Sequence, residues 1–202
     1  SWDVYDRFRH RIMFPIHNAK GKVKAFGGRS LGEQEPKYLN SPETPIFHKG
    51  SELYGLFEAR QAQRQLEQIL IVEGYMDVLM LAEHGIHYSV ATLGTATTSA
   101  HLNILLRQCN KITFCFDGDK AGRTAAWRAL EICLTAMSDN AQIAFMFLEQ
   151  GEDPDSWVKK HGKETFEKQL ATAKPLSAFF FEHLLKNIDL STVDGRARLN
   201  QK

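Results

Sequence analysis

The stretch "KITFCFDGDKAG", residues 111–122, places two aspartates directly after a run of apolar residues. A short, continuous apolar run is typical of a strand that is buried on both faces of a parallel sheet. Asp117 and Asp119 follow that strand, one residue apart across Gly118. Two crowded carboxylates are costly unless a cation or hydrogen-bond donors compensate them. The stretch therefore predicts a buried strand and a turn built to hold positive charge.

Further apolar runs along the chain predict three more strands, at residues 68–72, 88–94 and 142–148. Segments with helical periodicity separate the strands, at residues 74–85, at 97–109 and after the Asp117–Asp119 turn. Strands that alternate with helices favour a parallel sheet covered by helices on both faces. We therefore predict an α/β fold for the middle of the chain.

The two ends of the chain have different patterns. Residues 11–31 predict an antiparallel hairpin around the polar turn Asn18–Gly21, and an extended loop follows at residues 35–50. After residue 156 the pattern predicts two helical stretches, the second opening at Pro175. We expect three parts: a basic, partial mixed α/β subdomain at 1–58, an α/β catalytic domain at 59–156, and a helical tail at 157–202, where a helical bundle begins.

Composition narrows the class of protein. Residues 1–50 carry nine Lys/Arg against five Asp/Glu, whereas residues 65–155 carry five against twelve. This asymmetry suits a polyanion bound to one region and cations bound to the other, although ordinary charge scatter explains it equally well. Three cysteines without a CxxC pair indicate reduced thiols in a cytoplasmic protein. No apolar run approaches the ~18 residues of a membrane span, and the abrupt termini suggest a piece of a longer protein.

Acidic residues follow three of the predicted strands. Because ligand sites collect beyond the carboxyl ends of parallel strands, these residues should share one edge of the sheet. They are Glu73, Asp117, Asp119, Glu152, Asp153 and Asp155. Clustered carboxylates without His or Cys suit a hard cation such as Mg²⁺ or Mn²⁺.

Other interpretations of the Asp117–Asp119 turn remain. Asp119 could cap the following helix without any metal, and capping does not exclude ligation. A calcium loop fails because Ala121 and Arg128 stand where such a loop needs an oxygen ligand and a glutamate. A phosphatase with an aspartyl nucleophile would leave Glu73 and the basic segment unexplained.

Longer motifs carry a resemblance to a known family. "VEGYMD" (72–77) with "DGDKAG" (117–122) resembles the Toprim fold of primases, topoisomerases and some nucleases. From about residue 5 onward the chain is similar to the bacterial DnaG-type primases. That similarity rests on "DRFRHRIMFPI", "FGGRSLGEQEPKYLNSPETPIFHKG", "LYGL" and "GEDPDSWV".

The resemblance implies roles for specific residues. Glu73, Asp117 and Asp119 match the family's ligands for catalytic divalent metals, two Mg²⁺ or Mn²⁺ ions. Asp77, Asp153 and Asp155 match further acids near that site, with a direct or water-mediated role. For template strand and nucleotide phosphates the matching residues are Arg29, Lys37, Tyr38, Asn40 and Lys49, with Lys120 and Arg123 as further contacts to a triphosphate. Solvated surface side chains are the alternative for the basic residues.

The resemblance also implies an activity and partners. A primase synthesises short RNA on single-stranded DNA from ribonucleoside triphosphates, in the bacterial cytoplasm at the replisome and without a membrane. The family's zinc-binding N-terminal module, and the C-terminal module that contacts the replicative helicase and single-strand-binding protein, are expected to lack counterparts here. We expect the chain to be a monomer. A nuclease, a topoisomerase or a non-catalytic nucleic-acid-binding Toprim module are the competing functions.

Overall fold

The computed structural model of the chain describes residues 5–185. Three strands near the N-terminus form an antiparallel sheet in the order β1-β2-β3: β1 Arg11–His17, β2 Val23–Ser30 and β3 Tyr38–Asn40. The predicted hairpin is confirmed as β1 and β2, and the Asn18 side chain closes its turn by accepting hydrogen bonds from the Lys20 and Lys22 amides. β3 lies where we predicted only an extended loop, because its residues pair with Gly27–Arg29 of β2.

The remaining elements build a second sheet with its helices. Their bounds are α1 Leu56–Ala62, β4 Ile69–Val72, α2 Tyr75–Glu83, β5 Ser89–Ala91, α3 Ser99–Leu106, β6 Lys111–Phe116, α4 Lys120–Ala136, β7 Gln142–Phe147, α5 Pro154–Ala171, β8 Lys174–Pro175 and α6 Leu176–Leu185. The strand order is β5-β4-β6-β7-β8, and β4 to β7 pair in parallel. The predicted parallel sheet is thus confirmed.

The edge strand β8 was not predicted. It pairs antiparallel with β7, and Pro175, which we expected to open the last helix, lies in β8 one residue before α6. Proline has no backbone N–H to donate, so an edge strand is a position that it tolerates. The expected boundary at residue 156 falls inside α5, whose helix is interrupted at Gly162 with φ of 77°.

The connections place a crevice at one edge of the second sheet. The chain runs from β4 outward to β5 and then back past β4 to β6 and β7. Because parallel crossovers are right-handed, α2 covers one face while α3 and α4 cover the other. β4 and β6 are neighbours whose following helices leave to opposite faces, and such a switch point opens a crevice at the carboxyl ends of the strands.

The core lies between the second sheet and its helices. All four residues of β4 and five of the six residues of β6 are buried. Phe114 stacks on Phe145 with ring centroids 5.4 Å apart. Cys115 and Cys133 are free thiols buried in this core. Within residues 5–185, none of the helices is both long and apolar enough to cross a membrane.

Tyr75 fixes the first sheet against the second. A Cβ atom on Gly27 of β2 would lie 2.6 Å from the Tyr75 ring, so only glycine permits this approach. The Tyr75 hydroxyl donates to the Asn40 side chain, and Asn40 Nδ2 donates to the Leu93 carbonyl at 2.9 Å. The first sheet, β1-β2-β3, is therefore held beside the carboxyl edge of the parallel sheet.

Candidate functional site

Glu73 and Asp117 lie next to each other in the crevice. Glu73 follows β4 and Asp117 follows β6, and Ile71 of β4 pairs with Phe114 of β6. By this register Glu73 is level with Phe116, so the two carboxylates emerge within one residue of each other on neighbouring strands. In the described part of the chain, no side chain or amide forms a hydrogen bond or ion pair with either carboxylate.

The two glycines of the "DGDKAG" motif fix the turn after β6. A Cβ on Gly118 would lie 2.1 Å from the Leu148 carbonyl oxygen, so the turn contacts the end of β7 directly. A Cβ on Gly122 would lie 2.2 Å from the Asp117 carbonyl oxygen, where α4 folds back on the turn. Both positions exclude any larger residue, which explains the motif's spacing.

Asp119 caps α4. Its side chain accepts a hydrogen bond from the Gly122 amide at 2.7 Å, which satisfies one of the free N–H groups of the first turn. The capping interpretation of Asp119 is therefore confirmed. Capping uses only one carboxylate oxygen, so it is compatible with the metal role expected for this residue.

Burial and neighbouring carboxylates raise the pKa values of the acids at the crevice. Desolvation raises the pKa of Glu73, and the charges of Asp117 and Asp119 raise it further. Desolvation also raises the pKa of Asp117, followed by the charges of Asp153 and Asp119. Carboxylates that are crowded by like charges are stabilised when a cation is placed among them.

Asp77 is the most strongly perturbed of the expected acids. Burial raises its pKa to about 7, although the carboxylate accepts a hydrogen bond from the Gly74 amide at 2.9 Å at the start of α2. The charges of Asp153, Asp117 and Glu73 raise the pKa further. Asp77 therefore faces the same acidic group.

The acids that follow β7 already have partners. Glu152 accepts from the Ser156 hydroxyl and from the Lys160 ammonium at 3.1 Å, and the Ser156 bond is the main reason that its pKa is lowered. Asp153 caps α5 by accepting from the Ser156 amide at 2.7 Å. Asp155 Oδ1 lies 2.7 Å from the Lys159 ammonium, an ion pair by distance, although this buried oxygen makes no well-aligned hydrogen bond among the described residues. Of these three, Asp153 still acts electrostatically on Asp117 and Asp77.

The acidic group suits a divalent metal by its chemistry. Its donors are all carboxylate oxygens, which Mg²⁺ and Mn²⁺ prefer, and Glu73 and Asp117 have no other counter-charge within residues 5–185. Among those residues no three His, Cys, Asp or Glu side chains converge closely enough to hold an ion. Repulsion separates uncompensated carboxylates, so the side chains would have to turn toward an ion to bind it.

A cavity of about 320 Å³ opens beside Glu73. Its floor is formed by β4 and β6, and small residues of α4, Ala125 and Ala129, leave it open. The loop Thr92–Thr97 after β5 forms one wall. Sequence reasoning missed this loop, although its position after a predicted strand placed it at the same sheet edge.

The expected phosphate-binding residues lie on the first sheet and the loop after it. Arg29 and Tyr38 pair across β2 and β3, and the buried Arg29 Nε has no hydrogen-bond partner in the described structure. The Lys37 ammonium lies 5.9 Å from the centre of the Tyr38 ring. Lys49 opens a short 3₁₀ turn, Lys49–Ser51. Tyr38 lies near Tyr75 of α2, with ring centroids 6.4 Å apart, and the Lys49 carbonyl is bonded to His101 of α3. Contact of these four residues with phosphate stays a prediction.

The other three residues expected to contact phosphate, Asn40, Lys120 and Arg123, have different neighbours in the structure. Both side-chain atoms of Asn40 are used within the protein, by Tyr75 and Leu93, so Asn40 joins the two sheets. Lys120 and Arg123 lie in the first turn of α4, directly after Asp119. The Arg123 guanidinium covers the Phe147 ring at 5.0 Å.

Family models match most of the chain. The model described as "DNA primase catalytic core, N-terminal domain" matches residues 1–60, and a Toprim-like model matches residues 70–158. A "DnaB-helicase binding domain of primase" model matches residues 177–202. Our expectation that the chain lacks a counterpart of the helicase-contacting module is therefore wrong for this segment, most of which lies outside the described residues.

Known primases are similar along nearly the whole chain. The DNA primase of Escherichia coli (strain K12) is 59% identical over 196 residues, which are 97% of this chain and 34% of that protein. The chain thus spans about a third of the length of the curated relatives that it matches. The E. coli primase catalytic core superposes with a TM-score of 0.95 at 58% identity, covering 98% of this chain and 63% of that one. A DnaG primase catalytic domain bound to single-stranded DNA superposes with a TM-score of 0.94, also at 58% identity, covering 98% and 64%.

Proposed function

This chain belongs to the bacterial DnaG-type DNA primases, and we propose that it supplies the metal-binding part of a primase that makes short RNA primers on single-stranded DNA. The observation that carries the proposal is the uncompensated pair Glu73 and Asp117 at the switch-point crevice. The first sheet supplies cations on the adjoining side. Together they suit a phosphate-rich substrate held over bound metal.

We propose that Glu73, Asp117 and Asp119 hold two Mg²⁺ or Mn²⁺ ions, and that Asp77 and Asp153 contribute directly or through water. In the reaction a primer 3′-hydroxyl attacks the α-phosphorus of a ribonucleoside triphosphate, a P–O bond forms, the bond to the β-phosphate breaks, and pyrophosphate leaves. Divalent ions bound by these acids would lower the pKa of the attacking hydroxyl, whose proton passes to solvent, and would neutralise charge on the leaving oxygens. No side-chain nucleophile is required. Asp155 is already paired with Lys159, so of the expected acids we consider it the least suited to bind a metal.

We propose that Arg29, Lys37 and Lys49 bind phosphates of template or nucleotide, and that Tyr38 stacks on a base. Arginine and lysine neutralise phosphates, and an exposed tyrosine offers a sequence-tolerant stacking surface. Tyr38 is 39% exposed, which leaves its ring accessible for such stacking. Lys120 and Arg123 at the start of α4 would contact a triphosphate whose metal ions are held by the preceding turn.

We further propose partners and a place in the cell from the family. The matched segment 177–202 supports contact with the replicative helicase, with single-strand-binding protein as a second partner of the whole enzyme. The enzyme would act in the bacterial cytoplasm at the replisome as a monomer, with zinc held by a separate N-terminal module. We retain the division into 1–58, 59–156 and 157–202 as a proposal.

The experiment is template-directed incorporation of labelled ribonucleotides by a full-length primase that carries this sequence. We expect short RNA products that require single-stranded DNA and Mg²⁺ or Mn²⁺. Metal-dependent cutting of the template without RNA synthesis would replace the proposal with a nuclease. Binding of DNA without either reaction would assign a non-catalytic module.

A further inference from the structure

A buried histidine joins the Lys49 turn to the catalytic domain. His101 lies in the first turn of α3 with 0% of its surface exposed, and its Nε2 atom is 2.8 Å from the Lys49 carbonyl oxygen. The Thr98 hydroxyl donates to the neighbouring Gly50 carbonyl at 2.6 Å. These two bonds tie the turn Lys49–Ser51 to the N-terminus of α3.

The surrounding hydrogen bonds fix the protonation of His101. Its Nδ1 atom lies 3.2 Å from the Thr98 amide nitrogen, which can only donate. Nδ1 therefore accepts, and the ring proton sits on Nε2, from which it is donated to Lys49. Burial lowers the pKa of His101, which keeps the ring neutral. A protonated ring would direct a second N–H at the Thr98 amide.

Lys49 is fixed at the backbone, and its charge acts on Glu43 without a close ion pair among the described residues. Its amide donates to the Glu43 carboxylate at 3.0 Å while its carbonyl accepts from His101. In the described part of the chain its ammonium has no hydrogen bond or ion pair.

The hydrogen bonds from His101 and Thr98 lie at the carboxyl edge of the parallel sheet, where the acids are. α3 follows the loop Thr92–Thr97, which begins where β5 ends and which lines the cavity beside Glu73. A second link, between the backbones of Tyr54 and Ala91, holds the chain after the turn to β5 at 2.9 Å. The Lys49 turn is therefore fixed to the sheet edge that carries the acids, while an ion pair between Glu52 and Lys24 of β2 ties the residue after the turn to the first sheet as well.

We propose that His101 and Thr98 are positioning residues, which hold the Lys49 ammonium where it meets a phosphate group of the substrate. The proposal rests on the primase function, since the phosphate belongs to the template strand or to the incoming nucleoside triphosphate. His101 acts only through Lys49 and touches no substrate.

The test measures phosphate binding by the 202-residue chain. Labelled oligothymidylate is the probe in one arm and ATP with Mg²⁺ in the other, across a range of salt. We expect Lys49→Ala to weaken binding about 3- to 10-fold and to make the slope of log K against log salt shallower by about 0.7 in the oligothymidylate arm. Whichever arm responds identifies the source of the phosphate; a response in neither arm overturns the proposal.

A matched pair separates positioning from general stability. The amide of His101→Gln can still donate from near the Nε2 position, whereas His101→Asn keeps only an acceptor near Nδ1. We expect His101→Asn to reproduce at least half of the logarithmic loss of Lys49→Ala, and His101→Gln to bind within about twofold of the wild-type chain. Adding His101→Asn to Lys49→Ala should cost nothing more, because both act through one ammonium.

Lys37→Ala is the control, and its effect should add to that of His101→Asn. Melting temperatures identify any variant that fails to fold. If His101→Asn does not fold, a comparison of Thr98→Val with Thr98→Ser takes the place of the comparison of His101→Asn with His101→Gln. Undiminished binding by folded His101→Asn, or additivity with Lys49→Ala, would overturn the positioning role. If Lys49→Ala alone weakens binding, the proposed function stands while this inference fails.

Discussion

Two groups of carboxylates lie at one edge of the parallel sheet, and they differ in whether a cation or a hydrogen-bond donor compensates their charge. After β7, Glu152 is paired with Lys160, Asp153 caps α5, and Asp155 is paired with Lys159. After β4 and β6, Glu73 and Asp117 have neither a cation nor a donor within the described chain, and their pKa values are raised.

The difference separates acids that stabilise the fold from acids that are kept for a ligand. Compensated carboxylates contribute a little at the surface through ion pairs and caps. Uncompensated carboxylates cost stability, which is tolerable where a cation binds them. Asp153 belongs to both groups, because it caps a helix and also raises the pKa of Asp117.

The largest expected effect comes from removing charge in the uncompensated pair. In a full-length primase carrying this sequence, Asp117→Asn or Glu73→Gln should lower RNA synthesis by at least about 100-fold, because a metal ligand is lost. The melting temperature of each variant should hold or rise, since repulsion is relieved. Glu152→Gln is the matched control, and its rate of RNA synthesis should stay within about threefold of the wild-type rate. Wild-type synthesis by both Asp117→Asn and Glu73→Gln would refute the comparison.

A smaller effect is expected on stability at Asp77. Burial raises its pKa from 3.8 to about 7, so the metal-free protein binds an extra proton there when folded. Stability from this group is present at low pH and is lost as pH rises through that window. Asp77→Asn should therefore raise the melting temperature in EDTA, little near pH 4 and most above pH 7. A gain that does not depend on pH would show that Asp77 is not buried among acids.

The smallest effect separates the two roles of Asp119. Asp119→Ala should cost about 1 kcal/mol of unfolding free energy, because the cap of α4 is lost. Asp119→Ser should restore most of that stability, since its hydroxyl can cap the helix, yet it should bind Mn²⁺ as weakly as the alanine variant. Denaturant unfolding and calorimetry measure the two quantities. Equal Mn²⁺ affinity for Asp119→Ser and the wild-type chain would assign Asp119 to capping alone.

Much of the fold follows from local pattern. The buried strands near Ile69 and Lys111 are continuous apolar runs bounded by turns, so their type and order could be predicted. β3 and β8 could not, because Tyr38–Asn40 and Lys174–Pro175 are too short to show a period and exist only through pairing with β2 and β7. α1 was also missed, since no sequence signal marked its start at Gly55, which has φ of 84°.

The acids of the candidate site could be predicted because their position after strands is a property of sequence order. Their electrostatic difference could not be, since it depends on where Lys159 and Lys160 fall on α5. His101 was missed for a related reason. Its partner is 52 residues away, and a single histidine in an apolar helix gives no local signal.

Calorimetric titration of the 202-residue chain with Mn²⁺ tests the central claim most directly, that the uncompensated acids bind a divalent metal. The acids all come from the parallel-sheet domain, so we expect binding in roughly the millimolar range, as for a site of a few carboxylates. Asp117→Asn should abolish that binding and Glu152→Gln should leave it intact, while the chain alone gives little or no primer. Absence of Mn²⁺ binding by the well-folded chain, or equal loss in both variants, would contradict the account.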